Sequence, residues 1–335
     1  MILFVSCIVA LYLITLFYSN KQADILSKEK TTPLRGIFAI VVIAHHLSTQ
    51  VSGLSYFSSW GAPIVSLFLF ISGYGAMKSY INKQEKYLHN FINNRIAKYT
   101  LIPFISAWLV YKIVFFNTTP GIVESITRLL NNGVVTLPHS WYVYAILLFY
   151  AFFYITCKYA KKYTTFILTV LCICYILATA HVGYARCWYI SALAFPFGAL
   201  YAIVETKLLK LWQRSIIYYS TVPLSLALIA TLFLLKNEIA YALVYVLIPL
   251  IFACIASKIR VEKLNKIKPL LFISSIAYEL YLCQGISMQL LRGKYLHIDS
   301  DILYIIYTYI LTIILACCIK KIATKTNSLF CAKLK

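Results

Sequence analysis

Long apolar runs follow one another along almost the whole chain, and short polar segments rich in Lys and Arg separate them. Apolar runs of about 18 residues or more predict transmembrane helices, because a helix of that length crosses the hydrocarbon layer of a bilayer. Strand-sized segments of alternating polarity, which a membrane barrel needs, are absent from the sequence. The pattern predicts an all-α, polytopic transmembrane helix bundle of about eleven spans. These are 2–19, 34–52, 60–80, 96–116, 140–157, 164–181, 187–205, 214–235, 239–257, 269–291 and 301–319.

Composition supports the membrane assignment. Of the 335 residues, 61% are hydrophobic and 12% are charged, and the mean hydropathy is +0.80, whereas soluble domains carry about 25% charged residues. The chain has no Gly-, Ser- or Pro-rich linker and no internal repeat. We therefore expect a single membrane domain over residues 1–335, with an extra N-terminal span at 2–19 and a core at about 34–323. No basic segment precedes the first span, which favours a retained helix over a signal peptide.

The net charge of +21 does not indicate nucleic-acid binding, because the basic residues are spread over many short loops. With the N-terminus outside, 25 of the 31 Lys and Arg fall in cytoplasmic loops or the C-terminal tail, and five fall in outer loops. This is the positive-inside pattern. We expect an outer N-terminus, a cytoplasmic C-terminus and a multi-pass protein of the cytoplasmic membrane. The ten cysteines lie mostly within spans, where we interpret them as small apolar fillers without a disulfide framework.

The second span carries two ionisable groups separated by a purely apolar and small-residue run. Arg35 and His46 are eleven residues apart, which is about three helical turns plus 20°, so both share one face at about 16 Å separation. His45 is rotated about 80° from the Arg35 face. Ionisable groups inside a span are costly and mark functional sites by default. Arg35 as a headgroup anchor and His46 as a polar contact between helices remain open alternatives.

Two further segments carry candidate chemistry. Ser72 and Tyr74 lie among small residues of the third span, where close helix packing is the alternative interpretation. Arg95 and Lys98 are three residues apart at the start of the fourth span and would present together on an α-helix. They suit a phosphate clamp as well as a basic membrane anchor. Glu279, about ten residues into its span, requires a partner, a proton or a wet cavity.

Six motifs follow one another across roughly 250 residues. They are Leu34-Arg-Gly-Ile37 with His46, Phe68-Leu-Phe-Ile-Ser-Gly-Tyr74, Arg95-x-x-Lys98 with Pro103, His139-Ser-Trp141, Phe195-Pro-Phe-Gly198 and Ala277-Tyr-Glu-Leu-Tyr-Leu-Cys-Gln284. This ordered set resembles the integral-membrane acyltransferase family 3, which contains O-acetyltransferases of surface polysaccharides. Three positions depart from the family pattern. No acid follows Trp141 in its motif, the late Ser and His are Ala277 and Gln284, and the second Arg of the basic motif is Lys98.

The resemblance implies transfer of an acyl group, expected to be acetyl, from cytoplasmic acetyl-CoA or another acyl-CoA to a hydroxyl of a surface or lipid-linked glycan such as an exopolysaccharide. His46 and Arg35 are the catalytic candidates, and Arg35, Arg95 and Lys98 the donor-binding candidates. Direct base catalysis by His46 and an acyl-histidine relay both fit. No bound cofactor and no metal are expected. The residues expected to line the site are His45, Ser72, Tyr74, Trp141, Tyr278, Glu279 and Gln284.

Two other function classes compete with the enzyme. Intramembrane charges also suit a transporter or flippase of a lipid-linked glycan, although the inverted repeats frequent in transporters are not seen in the sequence. A catalytically silent membrane sensor would tolerate substitution of His46. In the longest outer loop, 117–139, apolar positions 122, 123, 126, 129 and 130 recur at helical spacing. They predict an interfacial helix over the outer mouth of the site, with simple packing as the alternative.

Overall fold

The computed structural model describes residues 2–17, 26–259, 261–293 and 295–333, and these form an all-helical fold. The prediction of an all-α protein is confirmed. The last two residues of the predicted first span lie outside the described residues, as do Lys21, Arg260, Lys294 and Lys335, which entered the charge count. The helices are α1 (Ile2–Leu16), α2 (Lys28–Leu47), α3 (Gly61–Phe91), α4 (Ile102–Val114), α5 (Ile122–Asn132), α6 (Trp141–Tyr159), α7 (Thr164–Val182), α8 (Ala194–Trp212), α9 (Ser215–Leu234), α10 (Glu238–Ala256), α11 (Lys268–Ser275), α12 (Ala277–Leu291) and α13 (Asp301–Lys333).

Within the described residues, six helical segments are long and apolar enough to cross a membrane, and a seventh is added if α11 and α12, bent by 74°, count as one span. The chain is a multi-pass membrane protein. The predicted spans 60–80 and 96–116 both fall in the segment Gly61–Val114, which Gln84 interrupts with a φ of 44°. Length excludes α1, which is apolar but has only 15 residues, and α2 begins with the charged residues Lys28, Glu29 and Lys30. The count of eleven spans and the orientation therefore stay predictions.

Helices α3 and α8 pack with their backbones in direct contact. A Cβ placed on Gly73 would lie 2.0 Å from the carbonyl oxygen of Phe195, and one on Gly198 would lie 2.1 Å from that of Phe70. Small residues permit this approach between membrane helices, where van der Waals contact supplies much of the association energy. The prediction that small residues of the third span serve close packing thus holds at Gly73.

A buried ion pair joins the same two helices further along. Glu205 of α8, 2% exposed, accepts hydrogen bonds from Lys78 Nζ at 2.5 Å and from the Tyr74 hydroxyl at 2.9 Å. A carboxylate in such a place requires charge neutralisation and hydrogen bonds, and both are present. Tyr74 therefore belongs to the α3–α8 contact.

Three groups of buried apolar side chains make up the interior of the described structure. The first is formed mainly by α3, α6, α7, α8, α9 and α10, the second mainly by α2, α4, α12 and α13, and the third by α2 and α3. A large cavity draws its walls from all three groups. Helix α5 contributes no buried residue, and its Val123 is 79% exposed. It contacts the rest of the protein through Arg128, which lines the cavity, and through the carbonyl oxygens of Leu129 and Leu130, which accept the Tyr184 hydroxyl. The interfacial position of this helix stays a prediction.

Candidate active site

A cavity of about 910 Å³ lies inside the helix bundle. Its walls come from α2, α3, α6 and α12, from the π-helical segment Ile92–Leu101 between α3 and α4, and from the segment between α5 and α6. The polar and aromatic side chains that line it include Arg35, His45, His46, Ser72, Arg95, Arg128, His139, Trp141, Tyr142, Tyr150, Trp188, Tyr278 and Tyr281. Among the described residues, no Asp, Glu or Lys lines this cavity.

Helix α2 supplies Arg35 and His46 to the same cavity, as their shared helical face predicts. Gly36, the residue next to Arg35, fixes the position of α2 against α11. A Cβ on Gly36 would lie 2.4 Å from Ser274 Oγ and 3.1 Å from the carbonyl oxygen of Leu270, so α2 lies directly against α11. Arg35 and His46 are both half-buried. The close helix contact thus fixes where the cation and the imidazole enter the cavity.

Three imidazoles meet on one side of the cavity. The rings of His46 and His139 stack with centroids 3.7 Å apart and an interplanar angle of 29°, and the His45 ring lies 4.9 Å from that of His46. His45 is held by its Nδ1, which is 3.1 Å from the carbonyl oxygen of Phe57 and donates to it. Within the described part of the chain, neither His46 nor His139 makes a hydrogen bond through its ring. Their nitrogen atoms are therefore available to a substrate.

His139 is the functional candidate that the sequence reasoning left out of the site. It lies just before α6, in the left-handed region with a φ of 63°, where a non-glycine residue is uncommon and strained. The Tyr281 hydroxyl donates to its carbonyl oxygen. Burial, with a smaller contribution from His45, lowers the pKa of His139 to about 4, so the imidazole is neutral near pH 7. The sequence signal that could have identified His139 is the motif His139-Ser-Trp141.

Arg35, Arg95 and Arg128 line the cavity, whereas Lys98 does not. Arg95 lies with its guanidinium carbon 5.3 Å from the centroid of the Tyr150 ring, and its Nε is buried without a hydrogen-bond partner among the described residues. Lys98 Nζ instead lies 5.6 Å from the ring of Tyr99 and is not part of the lining. The segment is π-helical, and its wider turn rotates a residue three positions on further away than an α-helix would. The predicted pairing of Arg95 with Lys98 relied on α-helical spacing.

The remaining predicted lining residues divide into two groups. Ser72, Trp141 and Tyr278 line the cavity, and the Tyr278 hydroxyl donates to the carbonyl oxygen of Thr100 at 3.0 Å. Tyr74, Glu279 and Gln284 do not line it. Gln284 is fully buried, and its Nε2 donates to the carbonyl oxygen of Tyr281 at 3.1 Å.

Among the described residues, no group of three or more His, Cys, Asp or Glu side chains is arranged to hold a metal ion. The cavity instead combines cationic guanidinium groups, free imidazoles and aromatic walls. Guanidinium groups bind phosphates well, and a neutral imidazole accepts a proton or attacks a carbonyl. This combination can hold an anionic group near an imidazole that transfers a proton or an acyl group.

Comparison of the sequence with family models gives a match over residues 34–321, to a family described as an acyltransferase domain. The chain therefore belongs to the integral-membrane acyltransferase family 3, as its motifs indicate, and it is an acyltransferase of class EC 2.3.1. The transporter alternative is thereby set aside. Comparison with curated proteins and with solved structures finds no significant match.

Proposed function

We propose that this acyltransferase moves an acetyl group from cytoplasmic acetyl-CoA to a hydroxyl of a cell-surface glycan, such as an exopolysaccharide, at the cytoplasmic membrane. The observation that carries the proposal is the single cavity that holds Arg35 and Arg95 together with His46 and His139. Acetyl-CoA is a polyanion whose phosphates suit two arginines, and its thioester is carried on a long, thin arm. The cavity has room for that arm between the cations and the imidazoles.

Arg35 and Arg95 then hold the donor phosphates, and His46 acts at the thioester end. The separation of about 16 Å along α2 between Arg35 and His46 suits a donor whose charged and reactive ends are far apart. Trp141 and Trp188, with ring centroids 6.2 Å apart and planes tilted by 49°, add aromatic faces of the kind that pack against sugars. Because no carboxylate belongs to the described lining, His46 acts either as the general base for the acceptor hydroxyl or as the carrier of the acyl group.

The test is the acetyl content of surface glycans from cells that carry the wild-type protein, His46→Ala or His181→Ala. His181 lies exposed at the end of α7 and is the matched control. Loss of general base catalysis typically lowers a rate by a factor of about 10² to 10⁴. We expect His46→Ala to lose glycan acetylation at normal protein levels, and His181→Ala to retain it. Unchanged acetylation in the His46→Ala strain would refute the assignment.

A further inference from the structure

Three features of the structure fix the position of His139. Its own backbone adopts a φ of 63°, its carbonyl oxygen accepts the Tyr281 hydroxyl, and its ring lies beside Gly285 of α12. A Cβ on Gly285 would come within 2.6 Å of Pro138 Cβ and 3.3 Å of His139 Cδ2. Strained residues persist only where the surrounding structure over-determines them, and they concentrate at active sites. The strained backbone of His139 places its imidazole on the face of the His46 ring.

We propose that His139 is a second catalytic residue, which accepts the proton of the acceptor hydroxyl while His46 carries the acyl group. The inference rests on the proposed acyl transfer and deepens it. It also decides between the two mechanisms that the sequence left open, in favour of an acyl-histidine relay.

The stacking geometry supports this division of labour. An acyl group bound to a ring nitrogen of His46 lies in the plane of that ring, and a nucleophile approaches its carbonyl carbon from above or below the plane. His139 lies on one of these two sides, with its ring centroid 3.7 Å from that of His46. A hydroxyl oxygen that attacks from that side comes beside the edge of the His139 ring, within reach of a hydrogen bond.

The acyl transfer takes place in two half-reactions. The free ring nitrogen of His46 attacks the thioester carbonyl carbon, the carbon–sulfur bond breaks, and the thiolate of CoA leaves with the electron pair. The acceptor oxygen then attacks the acyl carbon, and the carbon–nitrogen bond breaks and returns its electron pair to His46. The hydroxyl proton passes to the free ring nitrogen of His139, and from there through solvent to the thiolate. The products are the acyl ester and CoA thiol.

The other groups in the cavity leave His139 as the base for the second step. Once acylated, His46 has no lone pair to accept the proton. His45 is engaged at Nδ1 with the Phe57 carbonyl, and on its other side a Cβ on Gly61 would lie 2.3 Å from its Nε2. No carboxylate lines the cavity in the described residues. The neutral state of His139 keeps a lone pair ready for the proton.

The test separates the two half-reactions in the full-length protein. The variant is His139→Asn, because asparagine tolerates the left-handed backbone conformation that an alanine would strain. The first half-reaction is followed as exchange of labelled CoA into acetyl-CoA by purified protein in nanodiscs, without an acceptor. The overall transfer is followed as acetyl content of the surface glycan in cells. His181→Asn is the matched control, and His46→Ala is the reference for loss of the acyl carrier.

We expect His139→Asn to keep its exchange rate within about threefold of wild type and to lose glycan acetylation by a factor of about 10² or more. His46→Ala should lose both activities, and His181→Asn neither. The inference is overturned if His139→Asn acetylates normally, if it loses exchange and transfer to the same extent, or if the wild-type protein acetylates glycan without any exchange. A wild-type protein that shows neither activity would instead refute the proposed function, and the inference with it.

Discussion

Replacement of Gly73 by alanine should destabilise the protein far more than the same change at Gly75, two residues away on α3. A Cβ at Gly73 would lie 2.0 Å from the carbonyl oxygen and 2.9 Å from the carbonyl carbon of Phe195, and these are backbone atoms that no side-chain rotation can move. At Gly75, no heavy atom of the described residues lies within 4 Å. The pair therefore isolates the close α3–α8 contact.

The expected magnitude follows from two opposing effects. Alanine gains about 1 kcal/mol over glycine inside a helix, and both variants share this gain. An inserted methyl group that forces packed elements apart costs about 1–3 kcal/mol, and sometimes more. The carbon–oxygen contact of 2.0 Å must lengthen by about 1.4 Å to reach van der Waals distance, so we expect a cost at the upper end of that range. The two variants should differ by about 3 kcal/mol.

The assay is thermal unfolding of purified protein in nanodiscs, followed by tryptophan fluorescence. A difference of that size corresponds to a Tm about 6 °C lower for Gly73→Ala than for Gly75→Ala, at about 2 °C per kcal/mol for a large domain. Gly198→Ala probes the same contact from α8, where the Cβ would lie 2.1 Å from the Phe70 carbonyl oxygen, and it should behave like Gly73→Ala. A Gly73→Ala protein that melts at or above Gly75→Ala would refute the reasoning.

Three further predictions concern the cavity and its support. Arg95→Gln should raise the KM for acetyl-CoA in a steady-state assay by a factor of about 10 or more, because a charged hydrogen bond of about 1.5–3 kcal/mol is lost. Lys98→Gln should leave this KM nearly unchanged. Glu205→Leu should lower the Tm in nanodiscs, because the hydrogen bonds from Lys78 and Tyr74 to the buried carboxylate are lost, and a hydrogen bond to a charged group contributes about 1.5–3 kcal/mol; an unchanged Tm would contradict this. Gly61→Ala should lower glycan acetylation per folded protein without loss of expression, because its Cβ would lie 2.3 Å from His45 Nε2 and displace that ring.

The helical repeat explains which parts of the site could be predicted from the sequence. Arg35 and His46 share a face over three turns, and both line the cavity. The same repeat places Tyr74 about 200° from Ser72, on the opposite face of α3, and the structure shows Tyr74 on Glu205 while Ser72 lines the cavity. The sequence-based grouping of Ser72 with Tyr74 followed their motif and neglected this rotation.

Other parts of the site depend on structural features that no local sequence pattern indicates. The π-helical turn that separates Lys98 from Arg95 gives no sequence period of its own. His139 reaches His46 through a left-handed backbone and a hydroxyl from Tyr281, 142 residues further along the chain. Such an arrangement follows only from the tertiary packing of α6 against α12. The all-helical class, by contrast, followed directly from the long apolar runs.

The contact between α3 and α8 makes one wall of the cavity rigid. Ser72 directly precedes Gly73, whose α-carbon rests on the backbone of α8, so this side of the chamber cannot move back to admit a bulkier group. Another part of the lining comes from the segment between α5 and α6, which is a loop and carries His139. We therefore expect relatives that transfer longer acyl chains to differ in the loop that carries His139. We expect the α3 wall of the cavity to stay the same in them.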